Sequence, residues 1–134
     1  MKSIFLFKTI TSKEEFEKVL ENMSQIDIMV NNNLIDSLNN YDLDDSTSMV
    51  ICETNDLYRF LEFGNKHGLV FSSPREISND LFNNKFDISN STQKFKEELN
   101  TILYSRFDKD DVLDKILFEG IDSLTELDKK ILEA

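Results

Sequence analysis

Apolar residues recur along this chain with two different periods, and the changes of period mark out its elements. Ile4 to Ile10 is an almost continuous β-prone run, as expected of a central strand buried on both faces. It gives way to "TSKEEF", in which Thr11 or Ser12 is followed three residues later by a glutamate, and then to Phe16, Val19, Leu20 and Met23 at helical spacing. That combination predicts a first helix from about residue 12 to 24. Ile26, Ile28 and Val30 alternate like a strand, whereas Val30, Leu34, Ile35 and Leu38 share a helical face. A helix over Asn32 to Asn39 is favoured. "SMVIC" is a second β-prone run. Asn55 is then placed to cap a helix with the buried stripe Leu57, Phe60 and Leu61, which ends near Gly68.

"LVFSS" predicts a short third strand, and "SPRE" from Ser73 to Glu76 reads as a helix start, with an N-cap, a proline at the first helical position and a capping glutamate. Ile77, Leu81 and Phe82 supply that helix with an apolar face, and the polar "NNKFDISNSTQ" follows as a flexible connection. Phe95, Leu99, Ile102 and Leu103 define a helix from about Thr92 to Ser105. Farther on, Asp108 caps a helix striped by Val112, Leu113, Ile116 and Leu117, Gly120 stops it with Ile121 folding back, and "TELD" opens a last short helix. The expected fold is therefore α+β: a small mixed sheet of about three strands with packed helices, then an all-helical part ending in a helical hairpin. A single domain over residues 1–134 is expected. Residues 1–86 would form its α/β portion and residues 91–134 its helical portion, with the hairpin at 108–133.

Composition adds a constraint that the pattern does not carry. The chain has 26 acidic and 15 basic residues, a formal net charge of -11. From Val19 to Tyr58 there is no lysine or arginine, while Glu21, Asp27, Asp36, Asp42, Asp44, Asp45, Glu53 and Asp56 contribute eight negative charges. Such a field repels phosphate backbones and anionic lipid, and steers in a basic partner. Asp36, Asp42, Asp44, Asp45, Glu53 and Asp56 are the candidate partner-binding residues. The apolar run at the start is too short for a signal peptide and no other run could span a bilayer, so a cytoplasmic protein is expected.

The same residues exclude several kinds of chemistry. Asp42, Asp44, Ser46, Ser48 and Glu53 fall at calcium-loop positions one, three, five, seven and twelve, but Thr47 stands where the sharp turn wants glycine. Cys52 is the only cysteine and His67 the only histidine, so a zinc site lacks ligands. As a nucleophile and base the two would be held apart by the intervening helix, and Cys52 continues an apolar run as a structural thiol does. With three glycines in the chain, no phosphate-cradling loop can be assembled. No metal, no cofactor and no enzymatic activity are expected.

The C-terminal stretch "VLDKILFEGIDSLTELDKKIL" resembles a short helical module at the cytoplasmic tails of certain bacterial rhomboid-type membrane proteases and in small uncharacterised bacterial proteins. The matching positions are Leu113, Asp114, Lys115, Ile116, Gly120, Ser123, Leu124, Thr125, Lys129 and Leu132. The resemblance implies a bacterial, cytoplasm-facing protein with a portable hairpin, and it transfers no protease activity, because that chemistry lies in membrane helices. Two functions stay open. One is a non-enzymatic inhibitor or antagonist of the immunity or phage anti-defence type, whose acidic segment imitates nucleic acid on a basic, nucleic-acid-handling protein. The alternative is a bacterial housekeeping adaptor or regulator docking through Leu113, Ile116 and Leu132 of its hairpin. Those leucines and the isoleucine would otherwise pack into the domain together with Leu124.

Overall fold

The computed structural model describes residues 1–22 and 38–134. In it the first apolar run forms strand β1 (Lys2–Lys8) and "SMVIC" lies within β3 (Thr47–Glu53). These two seven-residue strands pair antiparallel along their whole length, from Lys2 opposite Glu53 to Lys8 opposite Thr47. A short strand β2 (Asn39–Asp42) pairs with β3, and a two-residue strand β4 (Arg75–Glu76) pairs with β1. The described sheet is thus antiparallel at every pairing, in the order β2-β3-β1-β4, with β1 inside it as its apolar run requires. The α+β class holds, with one strand more than the three expected.

The extra strand corrects the strongest local signal in the sequence. "SPRE" does not start a helix: Arg75 and Glu76 lie opposite Leu6 and Phe5, and Ile77 N–H donates to Ile4 O at 3.0 Å. Without this segment β1 would leave a row of backbone donors and acceptors bare on the side away from β3, a cost that outweighs one cap. "LVFSS" correspondingly contributes a single bridge, Thr9 to Phe71, in place of a strand.

Helix α1 (Lys13–Asn22) starts where expected, with Glu15 N–H donating to Ser12 Oγ at 3.3 Å. Of the helix favoured over Asn32 to Asn39, most lies outside the described residues, and Asn39 belongs to β2. Helix α2 (Thr54–Lys66) follows β3 without a loop. Asn55 is therefore not its cap. Glu53 occupies that position with no side-chain cap bond, because its backbone is still committed to the ladder with Lys2. One face of the sheet, Phe5, Phe7, Val50 and Cys52, packs with Leu57 and Leu61 of α2 into a core. Ile4, Met49 and Ile51 on the other face are fully buried as well. Gly68 ends the α2 region with φ at +89°, a conformation that favours glycine.

The chain divides into two compact units, Met1–Ile77 and Ser78–Ala134. The second holds α3 (Ser78–Phe82), α4 (Gln93–Arg106), α5 (Lys109–Glu119), one 3-10 turn (Ile121–Ser123) and α6 (Glu126–Glu133). Its caps follow the sequence closely. Thr92 Oγ1 accepts from Phe95 N–H at 3.1 Å, and Asp108 with Asp111 and Thr125 with Asp128 form reciprocal capping boxes. The polar connection before α4 is tied down: Asp87 Oδ1 accepts from Ser89 Oγ at 2.7 Å and from Ser89 N–H at 3.0 Å, and Lys96 Nζ donates to Ser89 O. Gly120 has φ +85° and ψ 163°, and Ile121 does not fold back but stays exposed at the start of the 3-10 turn.

Candidate binding surface

The β2–β3 hairpin explains how the acidic residues are placed. Asp44 sits in its turn and closes it: Ser46 N–H, Ser46 Oγ–H and Thr47 N–H all donate to Asp44 Oδ1, at 2.9, 3.1 and 2.7 Å. These bonds to the ionised form, led by the Ser46 and Thr47 backbone amides, hold the Asp44 carboxyl below its ordinary value of 3.8. Ser48 Oγ donates to Asp42 Oδ1 at 2.9 Å, which fixes a second carboxylate beside the first. Asp42, Asp44 and Asp45 are all exposed and line a cavity of about 500 Å³ together with Thr9, Thr11 and Phe16. A smaller cavity of about 170 Å³, lined by Phe7, Phe60 and Phe71, shares Thr9, Phe16 and Ser48 with it. The three phenylalanines form a ring cluster, with Phe7 and Phe71 edge to face at 5.6 Å.

The six candidate residues do not form one face. Glu53 ends β3 and Asp56 lies in the first turn of α2, so both are a strand length, about 20 Å, from the hairpin turn. Glu53 lies 3.6 Å from the Met1 amino group, and Asp56 pairs with Arg59 at 3.8 Å. Asp36 lies outside the described residues. The same extension of β3 carries Glu53 far from Asp42, so a twelve-position calcium loop cannot close. Among the described residues no group of three or more His, Cys, Asp or Glu side chains is placed to hold a metal ion.

The chain matches no protein-family model, no curated protein and no solved structure.

Chemistry at Cys52 runs against nucleophilic use. Its side chain is 2% exposed in the sheet core, and burial, with a smaller contribution from the Asp56 charge, pushes the thiol up to about 11. His67 lies at the other end of the 13-residue α2, about 20 Å along the axis, with its ring against Phe63. Among the described residues no helix is long and apolar enough to cross a membrane.

Two features of the second unit were not legible as a site. Lys115 Nζ donates to Asp128 Oδ2 at 2.7 Å and to Phe82 O at 2.8 Å, a buried ion pair joining α5, α6 and α3. The nearest sequence signal is that Lys115 follows Val112 by three positions, on the same helical face. That face is the buried one. Consequently the stripe expected on α5 is rotated: Val112 is buried and Ile116, Leu124 and Leu132 pack on the cluster of Phe82, Val112 and Ile131. Leu113 and Leu117 point to solvent, 54% and 79% exposed. Ile116 and Leu132 are half-buried against that cluster, whereas Leu113 is exposed.

Proposed function

We propose that the protein is a non-enzymatic binding protein that engages and antagonises a basic, nucleic-acid-handling protein through the acidic β2–β3 turn. The observation that carries this reading is the fixed position of the Asp42 and Asp44 carboxylates, held by Ser48 and by Ser46 and Thr47, at the rim of the cavity of about 500 Å³. Carboxylates already ordered lose little side-chain entropy on meeting a cation, so each contact returns more of its Coulomb energy. No lysine or arginine occurs between Val19 and Tyr58, and the base that the sheet register brings to this end of the hairpin is Lys8, opposite Thr47. The aromatic cavity beside the turn accepts an apolar side chain next to the cation, which favours a protein surface over a free metal or polyamine.

The test is association with a panel of purified nucleases and other basic nucleic-acid-binding enzymes, at salt from about 50 to about 300 mM. Asp42→Lys with Asp45→Lys changes the local charge by four units and leaves Asp44 to close the turn. The association rate with a bound panel member should fall by one to two orders of magnitude, on the order expected for lost steering. Inhibition of that enzyme should fall with it. A rate unchanged in the double variant and insensitive to salt would reject the reading.

A further inference from the structure

The acidic turn and the aromatic cavity are two ends of one trough on a single face of the sheet. The register sets Phe7, Ser48 and Asp42 in one cross-strand row, and Val50 and Asn40 in the next. Side chains alternate along a strand, so these five share a face, and Lys8, opposite Thr47, belongs to the other. On that face Phe60 of α2, Phe16 of α1 and Phe71 wall the cavity of about 170 Å³, and Asp42 lines the adjoining cavity of about 500 Å³. Gly64 makes room for the wall, since a Cβ there would meet the Phe71 ring at 2.5 Å. Among the described residues no lysine or arginine lines either cavity.

Two strand spacings, about 10 Å, separate Phe7 from Asp42, and the surface between them changes from apolar to anionic. What fits is an apolar stem with a cation at its tip. The described hydrogen bonds of the two fixed carboxylates converge on Oδ1, that of Asp42 from Ser48 and those of Asp44 from Ser46 and Thr47. Oδ2 of each is left to a ligand. A guanidinium pairs best with both oxygens of one carboxylate, whereas an ammonium is a point charge whose three donors can be divided between two. Lysine also lays its four-carbon stem along apolar surface while its head stays at the polar edge. We propose that the trough takes a single lysine side chain of the protein partner, its stem against Phe7, Phe60 and Phe71 and its ammonium at Asp42 and Asp44. The inference rests on the reading of the turn as a docking site and names the residue that the site selects.

The probes are four amino acids capped as acetyl methylamides: lysine, arginine, norleucine, and diaminopropionate, which has the ammonium without the stem. Binding is read from the amide resonances of the isotope-labelled chain. The lysine probe should bind at about millimolar concentration, the range open to so small a ligand, and shift the amides of Thr9, Asp42 and Ser48. Each of the other three should bind about fivefold more weakly or worse, having lost a matched contact. Asp42→Asn keeps an acceptor for Ser48 and should weaken the lysine probe by about tenfold. Asn40→Lys, on the same face of the same strand, should block the site with a lysine of its own. Asn40 and Asp42 are exposed, so both variants should keep their circular dichroism and unfolding midpoint. Equal binding of arginine, of norleucine or of diaminopropionate would each overturn the proposal, by removing in turn the choice of ammonium, the charge and the cavity. An inert lysine probe, or tighter binding of free pentylammonium by about tenfold, would overturn it as well. An enzyme of the panel bound through the turn while the lysine probe is inert would reject this inference alone. A bound lysine probe with no panel member bound would support the trough and reject the antagonist reading.

Discussion

Lys115 Nζ and Asp128 Oδ2 lie 2.7 Å apart with each side chain 1% exposed, thirteen residues apart in sequence and on different helices of the hairpin. The pair is tightly bound into its surroundings. Lys115 also reaches Phe82 O and lies over the Phe82 ring at 4.9 Å, while Asp128 Oδ2 also accepts from Thr125 N–H at 2.9 Å. Oδ1 of Asp128 is buried without a hydrogen-bond partner among the described residues, so Oδ2 carries the compensation alone.

Removing either partner strands the other charge in the interior. Lys115→Met or Asp128→Asn should each cost about 3–5 kcal/mol, a large part of the roughly 5–15 kcal/mol that holds a domain together. Asparagine keeps an acceptor for the Thr125 cap, so that variant isolates the charge. The double variant should cost less than the two singles added, by about 1–3 kcal/mol, in urea unfolding. Simple additivity would mean that the pair is not coupled.

Gly120 tests the turn between the hairpin helices. With φ at +85°, ψ at 163° and, among the described residues beyond its chain neighbours, no atom within 4 Å of the place a Cβ would take, the obstacle to a side chain there is backbone strain. Gly120→Ala should cost about 1–3 kcal/mol and Gly120→Val at least as much, seen as a lowered melting temperature. Neutral substitution at this position would show that the turn relaxes.

The thiol of Cys52 makes an alkaline prediction. Its value is raised from 9.0 to about 11 by burial, so the folded chain keeps a proton that the unfolded chain releases. The stabilisation is complete below pH 9 and is lost as pH rises toward 11. Urea midpoints measured across that window should fall for the wild type and fall less for Cys52→Ala, which itself should cost about 1 kcal/mol at neutral pH. A thiol reagent at pH 7 should modify Cys52 only on unfolding. Rapid labelling of the native protein would contradict its burial.

At the acid end the sign reverses. Hydrogen bonds from the Ser46 backbone hold Asp44 below its ordinary value of 3.8, those of Ser89 do so for Asp87, and the Asp111 backbone does so for Asp108. Their stabilisation is present above about pH 4 and is lost as pH falls through the folded values. Stability measured from pH 6 down to pH 2.5 should drop, and Asp44→Asn, which keeps an acceptor for the turn, should show a shallower drop. An equal slope in that variant would remove Asp44 from the account.

What could be read without tertiary structure was whatever is decided within a turn or two of chain. Ser12, Thr92, Asp108 and Thr125 cap their helices because capping is a contact over three residues. The runs at Ile4 and Met49 become strands because nothing except burial on both faces suits them. Gly68 and Gly120 take positive φ where helices end. Charge, too, is a property of the sequence alone, and the absence of bases from Val19 to Tyr58 needs no fold to be seen.

Only the tertiary structure decided the rest, because the deciding partners are distant along the chain. "SPRE" satisfies every local rule for starting a helix and is a strand, since β1, some seventy residues earlier, needs its backbone hydrogen bonds met. The acidic candidates look contiguous in sequence, yet β3 is extended and carries Glu53 and Asp56 away from Asp42, Asp44 and Asp45. On α5 the apolar pattern alone turns Leu113 and Leu117 inward. The Lys115–Asp128 pair turns the helix the other way, because a buried lysine demands a carboxylate and α6 supplies one in its first turn.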